Sequence, residues 1–593
     1  MRASLLLALA LLPGPALAAP AAGPGDDRQE KQPYGLPSDS SMPSPKVIGE
    51  RLGAPPPAPA WWHGAVFYEV FVRSFADSDG DGIGDFPGLT DKLDALNDGD
   101  PQTTTDLGVD ALWLMPIHAS PSYHGYDVTD YRSINPQYGT LRDFDRFIAA
   151  AKKRGIRVII DFVMNHSSRE HPWFIDAQRG PDAKHRDFYL WRAADPGWTQ
   201  PWSKNGVWHA AGGSHYYGLF WAGMPDLNLG NPEVERELVD AMRFWLDRGV
   251  AGFRVDAARH FFESDDGVLV DRPESHAFVE RVRAKLEETH PGALLVGEVW
   301  SDNAVIAPYV ADGRFPLAFG FNTAGRLIEA AKDGLRAGYD QGIRDGFAER
   351  YKEAPFLTNH DMPRVMRQLG GDAGAMRIAA AALLGLPGTP FLYYGEEIGM
   401  QGGAEPRDED KRTPMRWRAG AGHGFTSGKP WHDAAEAPGV DVASQRGKPG
   451  SLWTLYRDLI ALRRLNPALR GSELEIPTIE GENRGVTAII RRGGGQRVLV
   501  IYNFDRAPSG PISVWTTGRP RRLLEEGFSG YIHPTVERGG FALPSLAGRG
   551  FVFWELTPPD PVAAPQIDPP TDPAPGPADA TPAEAAPMGG APR

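Results

Sequence analysis

LRDFDRFIAAAKKRGIRVIIDFV, residues 141–163, carries the decision about the fold. Its first part is an amphipathic helical stretch with Lys and Arg in the last turn and Gly155 after them, as a helix C-terminus should end. Directly behind that glycine, IRVIIDFV from Ile156 is a short β-branched run with no polar alternation, so it reads as a strand buried on both faces. A helix feeding directly into a buried strand is the unit of a parallel sheet. The same kind of run recurs as VFYEVFV from Val66, VDALWLMPI from Val109, AGFRVDA from Ala251 and LLVGEV from Leu294. LAFGF from Leu317, APFLTNHD from Ala354 and TPFLYYGEE from Thr389 complete the set. EVERELVDAMRFWLDRG, from Glu233, repeats the helix ending. Eight buried strands alternating with helices predict an α/β fold closed as a TIM (β/α)8 barrel, with a doubly wound open sheet as the competitor.

Outward from the barrel, one interval is too long. About sixty residues rich in Trp, His, Pro and Gly separate Asn165 from the helix at Glu233, which predicts a subdomain inserted after strand 3, about residues 166–228. The barrel is expected over 61–466. After SLWTLYRDLIALRRL, from Ser451, the runs AIIRR, RVLVIYNF and FVFWEL between Gly- and Pro-containing turns predict a C-terminal antiparallel β-sandwich domain over 467–557. Residues 1–18 read as a signal peptide: Met1-Arg2, an apolar run from Ala3 to Leu12, and Ala16-Leu17-Ala18 as the cleavage site. The Pro-, Gly- and Ala-rich stretches 19–60 and 558–593 read as a disordered linker and a disordered tail. A secreted or periplasmic protein is therefore expected. The chain has no Cys, so thiol catalysis, disulfides and a lipidated N-terminal Cys are excluded. A net charge of −14 without a Lys/Arg run argues against nucleic acid and anionic membranes as partners.

Catalytic groups of a TIM barrel sit at the C-terminal ends of its strands. Those ends supply Asp161, Asn165 and His166 from strand 3, Arg254 and Asp256 from strand 4, Glu298 from strand 5, and Asn359, His360 and Asp361 from strand 7. Carboxylates converging on one cleft repel one another, so one of them can keep a raised pKa and act as an acid. An apposed carboxyl pair is what glycoside hydrolysis needs. A metal-dependent hydrolase could be built from the same Asp and His residues, and any one Asp taken alone is explained as a helix or turn cap. DSDGDGIGD, residues 77–85, starts like an EF-hand loop, with Asp77, Asp79 and Asp81 at positions one, three and five, Ile83 offering a carbonyl and Asp85 ninth. The twelfth position is Gly88 rather than Glu, so it is not an EF-hand.

DFVMNH (161–166), GFRVDAARH (252–260), GEVW (297–300) and TNHD (358–361) resemble, in order, the four conserved regions of the α-amylase family, glycoside hydrolase family 13. GYDVTDY (125–131), MPDLN (224–228), GLPGTPFLYYGEE (385–397) and RTPMRW (412–417) extend the resemblance over about Trp61 to Leu556. It implies Asp256 as nucleophile, Glu298 as general acid and base, and Asp361 on the 2- and 3-hydroxyls, in a retaining mechanism with the carboxyls ~5–5.5 Å apart. It also implies that Arg254 orients Asp256, that His166 and His360 bond the −1 sugar, and that Tyr126 stacks beneath it. Asp127 is implied on the 4-hydroxyl, paired with Arg412, with Arg407 as the alternative. In several members a D-x-D/N-x-D-G-I/F-G-D loop after the first strand binds calcium, so Asp77, Asp79, Asp81, Ile83 and Asp85 are expected to hold a structural Ca2+.

MPDLN resembles the group intermediate between oligo-1,6-glucosidases and neopullulanases, and Ala257 resembles α-1,4-acting members, where α-1,6-specific ones carry a bulkier Val. Starch-derived oligosaccharides are the expected substrates. RTPMRW departs from the common RTPMQW at Arg416, which removes that motif as a guide to +1 preference. Trehalose synthases share RTPMQW and GYD, so an isomerase stays open beside an oligo-1,6-glucosidase. A non-catalytic, transporter-associated member would need a membrane anchor and would tolerate lost carboxylates; this chain keeps all three.

Overall fold

The computed structural model describes residues 50–53, 55–404, 407–481, 483–526, 535–537 and 540–557. The expected signal peptide, most of the expected linker and the expected tail lie outside the described residues. Eight parallel strands form one sheet: β1 (Phe67–Val70), β2 (Ala111–Leu114), β3 (Arg157–Phe162), β4 (Gly252–Val255), β5 (Leu294–Gly297), β6 (Leu317–Phe319), β7 (Glu353–Ala354) and β8 (Phe391–Tyr393). They pair in sequence order, β8 pairs with β1, and a parallel bridge between Phe356 and Phe391 closes the ring. β7 is short because Pro355 comes next and has no N–H to donate; the carbonyl of Pro355 still accepts from Phe391 N at 2.9 Å.

Local chemistry explains the feeding helices. Leu141–Lys153 (α1) starts with a capping box between Thr140 and Asp143, buries Phe144, Phe147, Ile148 and Ala151, and gives way to Gly155 at φ +75°. Pro232–Asp247 (α2) starts with Asn231 accepting from Glu233 N, Pro at the first turn and Glu233 and Glu235 close behind. Helix Ala373–Gly385 (α3) is apolar nearly all round and is buried. Inside the barrel, Phe67, Trp113, Phe319, Phe356 and Phe391 fill the lower layers with Ile159, Leu294 and Val296, and Phe67 stacks on Phe391 at 4.4 Å. The aromatic filling packs the interior of the barrel.

Between β3 and β4 an antiparallel three-stranded sheet of Trp191–Arg192, Trp208–Ala211 and Ser214–Tyr217 makes the insertion. Asp226 of MPDLN ties it to the barrel: its carboxylate accepts from Asn165 Nδ2 at 2.8 Å and Leu219 N at 2.9 Å. Helix Leu452–Leu465 (α4) leads to the C-terminal strands. One antiparallel sheet holds Glu473–Ile476, Val486–Gly493, Gln496–Asn503, Phe551–Thr557 and Arg519–Glu526. A smaller one holds Thr478–Glu480, Ile512–Trp515, Gly540–Leu543 and Thr535–Glu537, and Ile490, Ile501, Val514, Phe541 and Trp554 pack between the two sheets.

The sequence expectation of a linker through residue 60 needs correction. Glu50–Leu52 is a strand that pairs antiparallel with Glu473–Ile476 on the edge of the large sheet. A three-residue strand is too short to show a period of two in the sequence; the open edge of the sheet, not the local residues, makes it a strand.

Candidate active site

Register puts the first charges together. β3 and β4 pair so that Asp161 lies opposite Arg254, which places an acid and a guanidinium side by side on the inner face. Arg254, 1% exposed, donates from Nη1 to both oxygens of Asp161 at 2.9 and 3.1 Å and to Asp256 Oδ1 at 2.5 Å. Its Nη2 reaches Glu298 Oε2 at 2.9 Å. One guanidinium thus holds three carboxylates from three adjacent strands, which fixes their spacing and offsets the cost of burying them.

The carboxylates are not equivalent. Burial, helped by the neighbouring Asp256 and Asp361 charges, lifts Glu298 to about 7 against the pull of Arg254. Glu298 Oε2 also accepts from Ala257 N at 2.8 Å. That N–H is aimed by a left-handed backbone at Ala257, φ +51° and ψ +33°, which costs a non-glycine residue about 1 kcal/mol or more. Burial likewise raises Asp161 to about 6, with Arg254 opposing.

On the other side of the cleft, Asp361 lies with His360 and Arg412. Arg412 Nη2 donates to Asp361 Oδ1 at 2.8 Å, and His360 Nε2 lies 3.1 Å from Asp361 Oδ2. Burial alone would raise Asp361, but His360 and Arg412 overcome it and hold the carboxyl well below the usual range. Tyr126 packs its ring on His360, with centroids 5.6 Å apart, and places its hydroxyl 2.6 Å from His360 Nε2 and 3.0 Å from Asp161 Oδ2. His166 stands at the end of β3; burial lowers it to about 4, and its Nε2 is buried without a partner in the protein. An imidazole nitrogen without a protein partner suits a ligand hydroxyl.

One expected pair within the cleft is not formed. Asp127 does not pair with Arg412; its carboxylate accepts from Ser120 Oγ at 2.6 Å and from Ser122 Oγ, and so braces its own loop. Arg412 is taken by Asp361 and by the His360 carbonyl at 3.0 Å, and Arg407 lies on Asp410 at 3.2 Å. The serines are neighbours of Asp127 in its own loop, and Arg412 is already engaged on Asp361. Two residues of this network were not singled out in the sequence: Glu69 of β1, bonded to His360, and Tyr123, whose hydroxyl takes Arg412 Nη1 at 3.3 Å. A lone Glu inside the apolar run VFYEVFV was the available signal for the first.

The loop 77–85 follows β1 on the barrel rim, and Trp431, which bonds its Gly82 carbonyl, stacks on Tyr123 of this network at 5.5 Å. Asp77, Asp79 and Asp85 bring one carboxylate oxygen each within 4.8 Å of one another. Three acidic oxygens so close are hard donors of the kind Ca2+ takes. Asp81 is not in that cluster; it accepts from Ile83 N at 2.7 Å. The loop is fastened to the segment after β8 by Asp77 N to Phe425 O at 2.8 Å, Thr426 Oγ1 to Asp77 Oδ2 at 2.5 Å and Trp431 N to Gly82 O at 2.9 Å.

With this geometry in place, the likeness to known proteins is decisive. Residues 69–472 match the family model for the α-amylase catalytic domain. The chain belongs to the α-amylase family. It is accordingly a glycoside hydrolase of the retaining kind. Alpha-amylase 3 of Dictyoglomus thermophilum is 36% identical over 75% of this chain and 86% of its own length. The trehalose synthase/amylase of Mycobacterium tuberculosis is 32% identical over 87% of this chain and 93% of its own. The crystal structure of the α-amylase from H. orenii superposes with a TM-score of 0.74 and 40% identity, covering 83% of this chain and 99% of that one.

Proposed function

We propose that this member hydrolyses α-1,4-linked glucans and maltooligosaccharides outside the cytoplasm. The observation that carries the reading is the carboxyl pair on Arg254: Asp256 and Glu298 share one guanidinium, and burial and neighbouring charge lift Glu298 to about 7, so it can hold a proton near neutral pH. In the first step Glu298 gives that proton to the glycosidic oxygen while an Asp256 oxygen attacks the anomeric carbon, forming a glycosyl ester and releasing the shortened glucan. Glu298, now ionised, takes a proton from water, and the water oxygen displaces Asp256 to give the α-anomer. Asp361, kept ionised by His360 and Arg412, accepts hydrogen bonds from the ring hydroxyls of the −1 sugar. His166 Nε2 and the Tyr126 ring complete that subsite.

Ala257 and MPDLN favour α-1,4 over α-1,6 bonds, and the leader Met1–Ala18 favours export. Asp77, Asp79 and Asp85 would hold a Ca2+ that fastens the loop and supplies no chemistry to bond cleavage. Among the described residues no helix is long and apolar enough to cross a membrane. The long match to a trehalose synthase/amylase favours isomerisation of maltose as the second reading. Product analysis on soluble starch, maltotriose, isomaltose, maltose and trehalose separates the two. Starch oligosaccharides cleaved well above isomaltose support hydrolysis, trehalose as the main product from maltose supports the isomerase, and a strong isomaltose preference overturns the α-1,4 assignment.

A further inference from the structure

We propose that Glu69 is a positioning residue of the −1 subsite: its carboxylate keeps both ring nitrogens of His360 protonated, so that the ring presents a fixed donor to Asp361. Glu69 is the one charged residue of β1, where every residue is buried, and it is 2% exposed. Its Oε1 lies 2.6 Å from His360 Nδ1. On the far side of the same ring, Nε2 lies 3.1 Å from Asp361 Oδ2 and 2.6 Å from the Tyr126 hydroxyl. His360 itself is 0% exposed and meets the edge of Trp113 at 5.7 Å between centroids, so the ring has no room to leave this line.

Acceptors on both nitrogens define the protonation state. With the Tyr126 hydroxyl donating to Asp161 Oδ2 and carboxylates at each end of the ring, a neutral imidazole would leave a lone pair against an acceptor, whereas the imidazolium satisfies both sides. The other charged or titratable groups around the ring do not reverse this. Tyr126 brings Asp161 close from β3; Arg254 of β4 is engaged by three carboxylates; Arg412 spends its Nε on the His360 carbonyl and its Nη2 on Asp361; and burial holds the adjacent His124 at about 3, which leaves it neutral. Burial by itself would lower His360, but Asp361 and Glu69 outweigh it and push it up to about 9. Glu69 is raised by burial, with His360 opposing, as expected of an anion whose ionisation depends on its partner. A buried carboxylate on β1 is thus connected, through one ring, to the carboxylate assigned to the sugar hydroxyls.

The proposal rests on the reading of Asp361 as a sugar ligand, and the test separates the two. In a Glu298→Gln parent, which cannot turn over, maltooligosaccharide binding is measured by calorimetry from pH 5 to 8 with and without Glu69→Gln. Asp161, raised to about 6, is common to both proteins, so the affinity of the Glu69→Gln form is read relative to the parent at each pH. Glu69→Gln, isosteric and still able to bond Nδ1, is expected to bind about tenfold more weakly at pH 8 than at pH 5, as His360 becomes neutral. Parallel affinities at every pH would overturn the role of Glu69; a parent that binds no maltooligosaccharide at any pH would instead overturn the substrate reading. In the unsubstituted enzyme, 15N NMR of labelled histidine should show His360 as imidazolium at pH 7.5. A neutral ring there overturns the proposal whether or not the variant folds.

Discussion

Arg254 and Arg463 are withdrawn from water to the same degree, at 1% and 0% exposure, and yet they sit in opposite surroundings. Arg254 of β4 touches three carboxylates and is driven well above its ordinary pKa, Asp161 foremost among its partners once the opposing burial is overcome. Arg463 of α4 touches carbonyls only: Nη1 reaches Leu384 O at 3.0 Å and Leu386 O at 2.7 Å, and Nη2 reaches Gly388 O at 2.5 Å. Arg491, on the strand Val486–Gly493, repeats the pattern with Gly385 O at 2.5 Å and Leu469 O at 3.1 Å. Among the described residues neither makes an ion pair, and burial holds Arg463 well below its ordinary value. Leu384 and Gly385 end α3, where the helix leaves its last carbonyls unpaired and partly negative. A buried guanidinium in this protein therefore serves two ends: among carboxylates it arranges chemistry, and among helix-end carbonyls it pins α4, through Arg463, and the large C-terminal sheet, through Arg491, onto the end of α3.

The sharpest way to probe the first surroundings is to neutralise the carboxylates themselves. Asp256→Asn and Glu298→Gln are each expected to lower kcat on maltooligosaccharides by about 100- to 10,000-fold or more while circular dichroism stays unchanged. Near-normal activity in either variant would remove the residue from the mechanism. NMR of the first product should show the α-anomer, and a β-anomer would refute retention.

Arg254→Met tests the guanidinium in place. It leaves three buried acids without their cation, a change of about 3–5 kcal/mol in comparable pairs, and should lose activity and stability together. Its residual activity carries a signed pH prediction. In the unsubstituted enzyme kcat/KM should fall as pH rises through about 7, because Glu298 must be protonated to act. Arg254 lowers the Glu298 pKa, so removing it should move that alkaline limb to higher pH. An unmoved limb means that another group sets it.

Arg463→Met should break the comparison cleanly. Orphaned carbonyls cost about 1–3 kcal/mol each, partly offset by relief from burying a cation. The melting temperature should fall by some degrees with kcat at 20 °C retained, and a loss of kcat without a loss of stability would show that the joint reaches the cleft. Smallest of all is the rim loop. Asp79 contributes to the acidic cluster but braces only Asp81 N, at 3.1 Å, so Asp79→Ala should abolish the rise in melting temperature with calcium and spare kcat. That rise is RT ln(1 + [L]/Kd), about 2.7 kcal/mol at 100 times Kd, or a few degrees in a domain of this size. A stable but inactive Asp79→Ala would place the loop in the catalytic machinery.

The barrel was legible because its strands are buried on both faces and end in polar residues. DFVMNH and GFRVDAARH show both features within a few residues. The convergence of Asp161, Arg254, Asp256 and Glu298 followed from strand order alone. What the sequence hid is what depends on side-chain competition in space. Asp127 and Arg412 are far apart in the chain, and nothing in GYDVTDY says that Ser120 and Ser122 reach the carboxylate first. Arg463 stands in the last turn of an amphipathic helix, where a solvated base is the ordinary expectation, and only the packed α3 terminus makes it a buried joint. Glu69 showed as a charge in an apolar run, but its partner lies beyond β7, nearly three hundred residues along the chain.

The strand Glu50–Leu52 has a consequence for the order in which the molecule assembles. Its partner, Glu473–Ile476, lies beyond all eight barrel strands, so the two segments bracket the whole barrel in sequence. Closing a loop that long is entropically costly for a ladder of three residue pairs, and the entropy must be met before the contact returns anything. The compact barrel, once formed, shortens that search by bringing the ends of the loop near each other. The seam should therefore be the last part to close in refolding and the first to open under mild denaturant, where amide exchange at Leu52 and Leu474 would outpace exchange at the β3–β4 ladder.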